Sequence, residues 1–288
     1  MFTEESSQQL TPLPEEHAEP PVPTAGSEVQ PSPKTLWWAP WIDVSYAVGV
    51  WVVSVVILLI VPVVYAIPYL VYRIAKLGPP SPEALATDKM LIFFSVAAIL
   101  PTHMLTVALV WLVVSWGGRR PFWKNIDFGW PEKSTPAMTT LISVVLAIVL
   151  YGLAFLITMY YGERKTDLDL LIESSNYTRF ATAFVAFATA PLAEELIYRG
   201  ILYKALEKAA GVAIAIVVVS LLFAGVHVFQ YRNNVAVIAV ITLLSITLTV
   251  SRAVTGKMLP AFIIHLVFNG IQSVLIVLGA FVNKDILK

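Results

Sequence analysis

Residues Phe184 to Leu206 read FVAFATAPLAEELIYRGILYKAL. Two adjacent carboxylates, Glu194 and Glu195, and the guanidinium of Arg199 follow a run of Phe, Ala, Val and Thr that suits hydrocarbon. Whether those charges are misplaced depends on the solvent in which the chain folds. Of its 288 residues 58% are hydrophobic and only 13% are charged, with a mean hydropathy of +0.77. A soluble domain carries about 25% charged residues. Apolar stretches long enough to cross a bilayer, about 20 residues each, recur along the chain without the period-2 alternation of barrel strands. The predicted fold class is therefore all-α, a polytopic transmembrane helical bundle of about seven spanning helices. The spans are placed at 44–72, 90–115 and 137–161, from Phe180 onward, and at 212–230, 235–250 and 259–281.

Composition divides the chain further. Residues 1–35 are rich in Pro and Glu and lack the apolar surface needed to offset ordering entropy, so a disordered tail is expected there. Residues 36–161 are read as three accessory transmembrane helices, entered through an aromatic belt at Trp37, Trp38 and Trp41. Residues 162–288 are read as the core that carries the chemistry. The formal net charge is zero and basic residues are not clustered, which argues against a nucleic-acid partner. There is no cysteine, so disulfides, thiolate ligands and a Cys nucleophile are excluded. Basic residues divide nine to nine between the two sides of a seven-span bundle, so charge sets no orientation.

A charge at the centre of a spanning helix costs roughly 2.5–3.5 kcal/mol on insertion scales, so three unpaired ones would cost about 8–10 kcal/mol. Glu195 and Arg199 are four apart with the acid first, the favoured helical ion-pair order. Glu194 points about 100° away from Glu195 on a helix and is left over. His265, Asn269 and Gln272 share a face of the last span, and Phe223 lies one turn before His227. The best turn signal between the fourth and fifth segments is Gly211. Glu194 and Glu195 lie 17 and 16 positions before it and His227 lies 16 after it, which brings carboxylate and imidazole to similar depth. His103, without such neighbours, is read as a packing residue. The gathered groups suit a carboxylate that takes a proton from water, imidazoles that hold that water or a metal, and an amide that donates to an oxyanion.

The pattern resembles a known family. Glu194 to Arg199, EELIYR, is similar to the EExxxR motif of the CAAX protease and bacteriocin-processing family of intramembrane endopeptidases. Phe223 to His227, FAGVH, resembles its FxxxH motif, and His265 to Asn269, HLVFN, its HxxxN motif. The resemblance covers roughly residues 178–280. It implies hydrolysis of a peptide bond at membrane depth by glutamate-activated water. Glu194 would be the general base, His227 would orient the water, and His265 and Asn269 would stabilise the oxyanion, with Glu195 and Arg199 supporting the architecture. Glu194, His227 and His265 could alternatively hold a divalent metal such as Zn with an open position. The implied partners are the lipid bilayer and a membrane-associated protein or peptide, prenylated in the family's eukaryotic members, and the expected location is the cell membrane. Two other readings stand beside this one: a catalytically silent scaffold, regulator or immunity protein on the same fold, and a transporter.

Overall fold

The computed structural model describes residues 39–162 and 165–286. The expected disordered tail, residues 1–35, lies outside them. Among the described residues every regular element is helical. Helix α1 (Ala39–Leu77) runs through both Pro62 and Pro68. A short α2 (Pro82–Ala86) precedes α3 (Lys89–Ala97) and α4 (Ile99–Ser115), which follow one another across Ala98 as one apolar span. After α5 (Phe122–Asn125), Thr135 caps and Pro136 opens α6 (Pro136–Tyr161), using the residue types that helix starts favour. The amphipathic α7 (Asp167–Ser174) begins with a capping box between Thr166 and Asp169.

The opening stretch is not one straight helix. It comprises α8 (Asn176–Ala188), α9 (Ala190–Glu195), a π-helix (Leu196–Leu202) and α10 (Tyr203–Ala210), with a bend of 40° at Thr189. The turn signal at Gly211 marks a real turn: its φ of 86° lies where a Cβ is disfavoured, and α11 (Val212–Tyr231) starts after it. Helices α12 (Val235–Thr255) and α13 (Leu259–Ile286) complete the described chain.

The all-α transmembrane bundle expected from the sequence is present. Among the described residues five helices are long and apolar enough to cross a bilayer, or six if the bent pair α8 and Ala190–Ala210 counts as one span. Helix α11, with 20 residues, is close in length to the 21 of α12. All seven apolar segments are helical, and the break at Thr189 makes the fourth a bent pair rather than one straight helix.

Side-chain placement agrees with a lipid solvent. Along α6 four of the five buried positions are small or short (Thr139, Ser143, Ala147, Ala154, with Leu150 the exception), whereas Leu141, Ile142, Ile148, Val149 and Leu153 face outward. Small residues let backbones approach where no hydrophobic force drives large side chains inward. Helix α13 packs on α8, α6 and α12, while α1 packs on α3, α4, α10 and the π-helix. One core surrounds the π-helix through Leu196, Leu202, Tyr203 and Phe223, and a second joins α6, α12 and α13 through Leu150, Leu248 and Ile264.

Candidate active site

The site is built around the widened turn that starts directly after Glu195. Single π turns inside α-helices are rare and occur often at functional sites. Here the N–H of Tyr203 bonds to the carbonyl of Tyr198, five residues back. Arg199, fully buried, donates through Nη1 to Glu195 Oε1 at 2.9 Å and through Nη2 to the carbonyl and hydroxyl of Ser245 at 3.0 and 2.9 Å. Thr249 Oγ1 accepts at 3.3 Å. Arg252 in turn reaches the carbonyl of Arg199 at 3.4 Å. The pair expected from the four-residue spacing forms, and α12 adds acceptors that the sequence did not announce.

Glu195 does more than neutralise Arg199. Its Oε1 lies 2.8 Å from Nδ1 of His265, which is 2% exposed. A carboxylate paired with a guanidinium accepts, so this nitrogen is the donor. On the other edge of the ring, His265 Nε2 lies 3.6 Å from Glu194 Oε2. One imidazole therefore stands between the two adjacent carboxylates. They leave the helix in different directions: Glu195 into the protein, with no exposure, and Glu194 toward a cavity, with its side chain 23% exposed.

That cavity has a volume of about 300 Å³ and is lined by Glu194, His227, His265 and Asn269 together with many apolar side chains. Its walls come from α1, α4, α8, α11 and α13 as well as α9. The His227 Nδ1 bonds to the carbonyl of Phe223 at 2.8 Å. A carbonyl only accepts, so neutral His227 keeps the lone pair of Nε2 for another donor. Asn269 Nδ2 donates to Ala186 O at 3.0 Å, which leaves its second N–H free to serve a ligand. The Phe223 ring joins these parts. It lies 5.0 Å beneath the Arg199 guanidinium, edge-on to Tyr198 and His265, and 4.9 Å from His227.

The structure thus brings Glu194, Glu195, Arg199, His227, His265 and Asn269 to one place. It differs from the expected arrangement in two respects. The imidazole paired with Glu194 is His265, while His227 lines the same cavity with its ring on Phe223. Glu195 is bound to His265 as well as to Arg199, so it positions an imidazole of the site besides supporting the architecture. Among the described residues no three His, Asp or Glu side chains are grouped so as to hold a metal ion. Glu194, His227 and His265 are therefore not gathered as a Zn ligand set.

One residue escaped the sequence reading. His103, on α4, lines the cavity with Glu194 and bonds through Nδ1 to Thr189 Oγ1 at 2.8 Å. The available signal was its position inside an apolar span, where an ionisable group marks a functional candidate.

With this geometry in hand, the chain can be set beside known proteins. Residues 176–271 match the Rce1-like family. The description of that family is type II CAAX prenyl endopeptidase. The matched third of the chain contains all three motifs and every residue of the Glu194, Glu195 and His265 arrangement. No curated protein and no solved structure matches the chain. Together with its apolar helices, the Rce1-like segment marks the chain as an integral membrane protein.

Proposed function

We propose that this protein is an intramembrane endopeptidase that hydrolyses a membrane-associated, lipidated protein or peptide with glutamate-activated water. The observation that carries the reading is the placement of His265 between Glu195 at 2.8 Å and Glu194 at 3.6 Å, at the wall of a cavity. Catalysis by water requires a base beside the nucleophile and a donor beside the oxyanion. Glu194 is the base. His227 holds the water through Nε2. The water gives its proton to Glu194 as its oxygen attacks the carbonyl carbon, and the carbonyl oxygen becomes an oxyanion.

With His265 Nδ1–H committed to Glu195, Nε2 of the neutral ring carries no hydrogen. It becomes a donor only when a proton reaches it. The proton taken by Glu194 can make that move across 3.6 Å through one bridging water. The resulting imidazolium faces Glu195, which is fixed by Arg199, and donates to the oxyanion beside the free N–H of Asn269. When the C–N bond breaks, the proton returns to the leaving amine. Water and peptide become acid and amine, and the site is restored.

The apolar cavity walls, including Val55 and Leu58 of α1 and Ile99 of α4, suit a lipid group on the substrate. In this reading the helices of residues 36–161 contribute walls to a site whose chemistry is carried by residues 162–288. The cell membrane is the proposed location.

The test is cleavage of a farnesylated C-terminal CaaX peptide and its unmodified counterpart by the protein in proteoliposomes. Glu194→Gln, His227→Ala and His265→Ala each serve as variants, with and without chelator. Losses of at least about 100-fold are expected, the lower end for a missing base or oxyanion donor. Full activity of Glu194→Gln would sink the mechanism, and inertness of the wild-type protein toward both peptides would favour a silent scaffold.

A further inference from the structure

We propose that His103 is a substrate-binding residue of this site, whose Nε2 accepts a backbone N–H of the bound peptide beside Glu194. The proposal rests on the endopeptidase reading and adds to it a residue that lies outside the matched segment 176–271.

The orientation of the ring is set by its neighbours. The Thr189 hydroxyl has one hydrogen, which we assign to the Val185 carbonyl at 3.2 Å because a carbonyl can only accept. The hydroxyl oxygen is then an acceptor for His103 Nδ1–H at 2.8 Å. Thr189 does not line the cavity whereas His103 does, so the ring turns its Nδ1 edge to the helix bend and its Nε2 edge to the cavity. Neutral imidazole leaves a lone pair there. Thr189 lies five residues before Glu194, at the join of α8 and α9, so the anchor of His103 and the position of Glu194 depend on the same bend.

A peptide that enters this cavity brings backbone N–H groups into largely apolar surroundings. Each needs an acceptor, because a buried N–H without one costs about 1–3 kcal/mol. The other imidazoles are committed: His265 lies between two carboxylates and His227 is assigned to the water. Helix α9 packs against both α4 and α13, so His103 and His265 come to the cavity of Glu194 from different helices. A peptide whose scissile carbonyl is held by His265 and Asn269 would have its flanking chain in the same cavity as His103.

Two substitutions separate the edges of the ring. In His103→Asn the amide occupies the Nδ1 position, keeping the bond to Thr189 and removing the cavity acceptor. In His103→Gln the amide occupies the Nε2 position, keeping the acceptor and losing the anchor. Each is compared with the wild type in proteoliposomes for KM and kcat on the farnesylated peptide. Binding of the same peptide, fluorescently labelled, is measured in a Glu194→Gln background, where it stays uncut. His103→Asn is expected to raise KM and Kd about 3- to 10-fold, the range of one neutral hydrogen bond, with kcat within about twofold. His103→Gln is expected to stay within about twofold of the unsubstituted Kd. The reverse order, with Asn neutral and Gln impaired, would assign His103 to the helix bend alone and overturn the proposal. So would unchanged binding in both, or, if His103→Asn does not fold, binding by His103→Gln as poor as that of His103→Ala. Wild-type protein that binds the peptide without cutting it would refute the endopeptidase reading, while the binding series still judges His103. Absence of binding by any form would overturn both.

Discussion

Glu195 Oε1 stands 2.8 Å from His265 Nδ1. The same oxygen accepts from Arg199, so one buried carboxylate joins the π-helix to α13 and fixes the ring that faces Glu194.

Glu194 and Glu195 should therefore fail differently when each is changed to Gln. Glu194→Gln removes the base but breaks no short ion pair, and should lower kcat at least about 100-fold with little change in melting temperature. Glu195→Gln leaves Arg199 buried beside a neutral amide, and loss of one partner of a buried pair costs about 3–5 kcal/mol. Thermal unfolding in detergent, run alongside the cleavage assay, checks both. Equal destabilisation by the two substitutions would contradict the arrangement.

Arg199→Lys is not conservative here. A single ammonium cannot serve Glu195 and the Ser245 and Thr249 acceptors at once, as the planar fork does. We expect a loss of about 2–4 kcal/mol, the scale of a disrupted buried network, read as a lower melting temperature and lower yield of folded protein.

Asp127 holds the buried Arg252 at 2.8 Å and the exposed Lys204 at 2.9 Å, and has a φ of 53°. Asn tolerates that conformation nearly as well as Asp. Asp127→Asn therefore isolates the lost charge from any backbone effect. It should destabilise by about 1–3 kcal/mol through the unpaired Arg252, and Asp127→Ala by more, because Ala adds the conformational penalty. Denaturant titration of the two variants gives the comparison.

Asp88, outside the spans, gives a pH signature. Burial acts to raise its pKa. Bonds from the backbone N–H groups of Leu91 and Met90, with the Tyr69 hydroxyl and Arg73, outweigh burial and hold it below the ordinary carboxylate value. A lowered folded-state pKa contributes stability that is fully present above the unfolded value of about 3.9. That stability is lost as pH falls through the folded-state value. Asp88→Asn should be less stable than the wild type at neutral pH and lose less on acidification below about pH 4. Melting temperatures measured across that range check the sign.

The sequence alone established the solvent and the inventory. Runs of apolar residues required helices, because no water is present in hydrocarbon to satisfy an open backbone. The cost of charge there singled out Glu194, Glu195 and Arg199, and the four-residue spacing paired the latter two. Gly211 marked the turn, since its positive φ suits a residue without a Cβ. These features are local, set by one residue type or by spacing within a helix.

What the sequence did not reveal depends on contacts between distant segments. Period and composition do not distinguish a π turn from an α turn, nor locate the bend at Thr189. The pairing of His265 with both carboxylates joins positions 70 and 71 residues apart, and His103 meets Thr189 across 86. Helical periodicity states which face a side chain occupies but not which helix that face meets. Packing of α9 against both α4 and α13 decided that His265 faces Glu194 and that His103 shares the cavity.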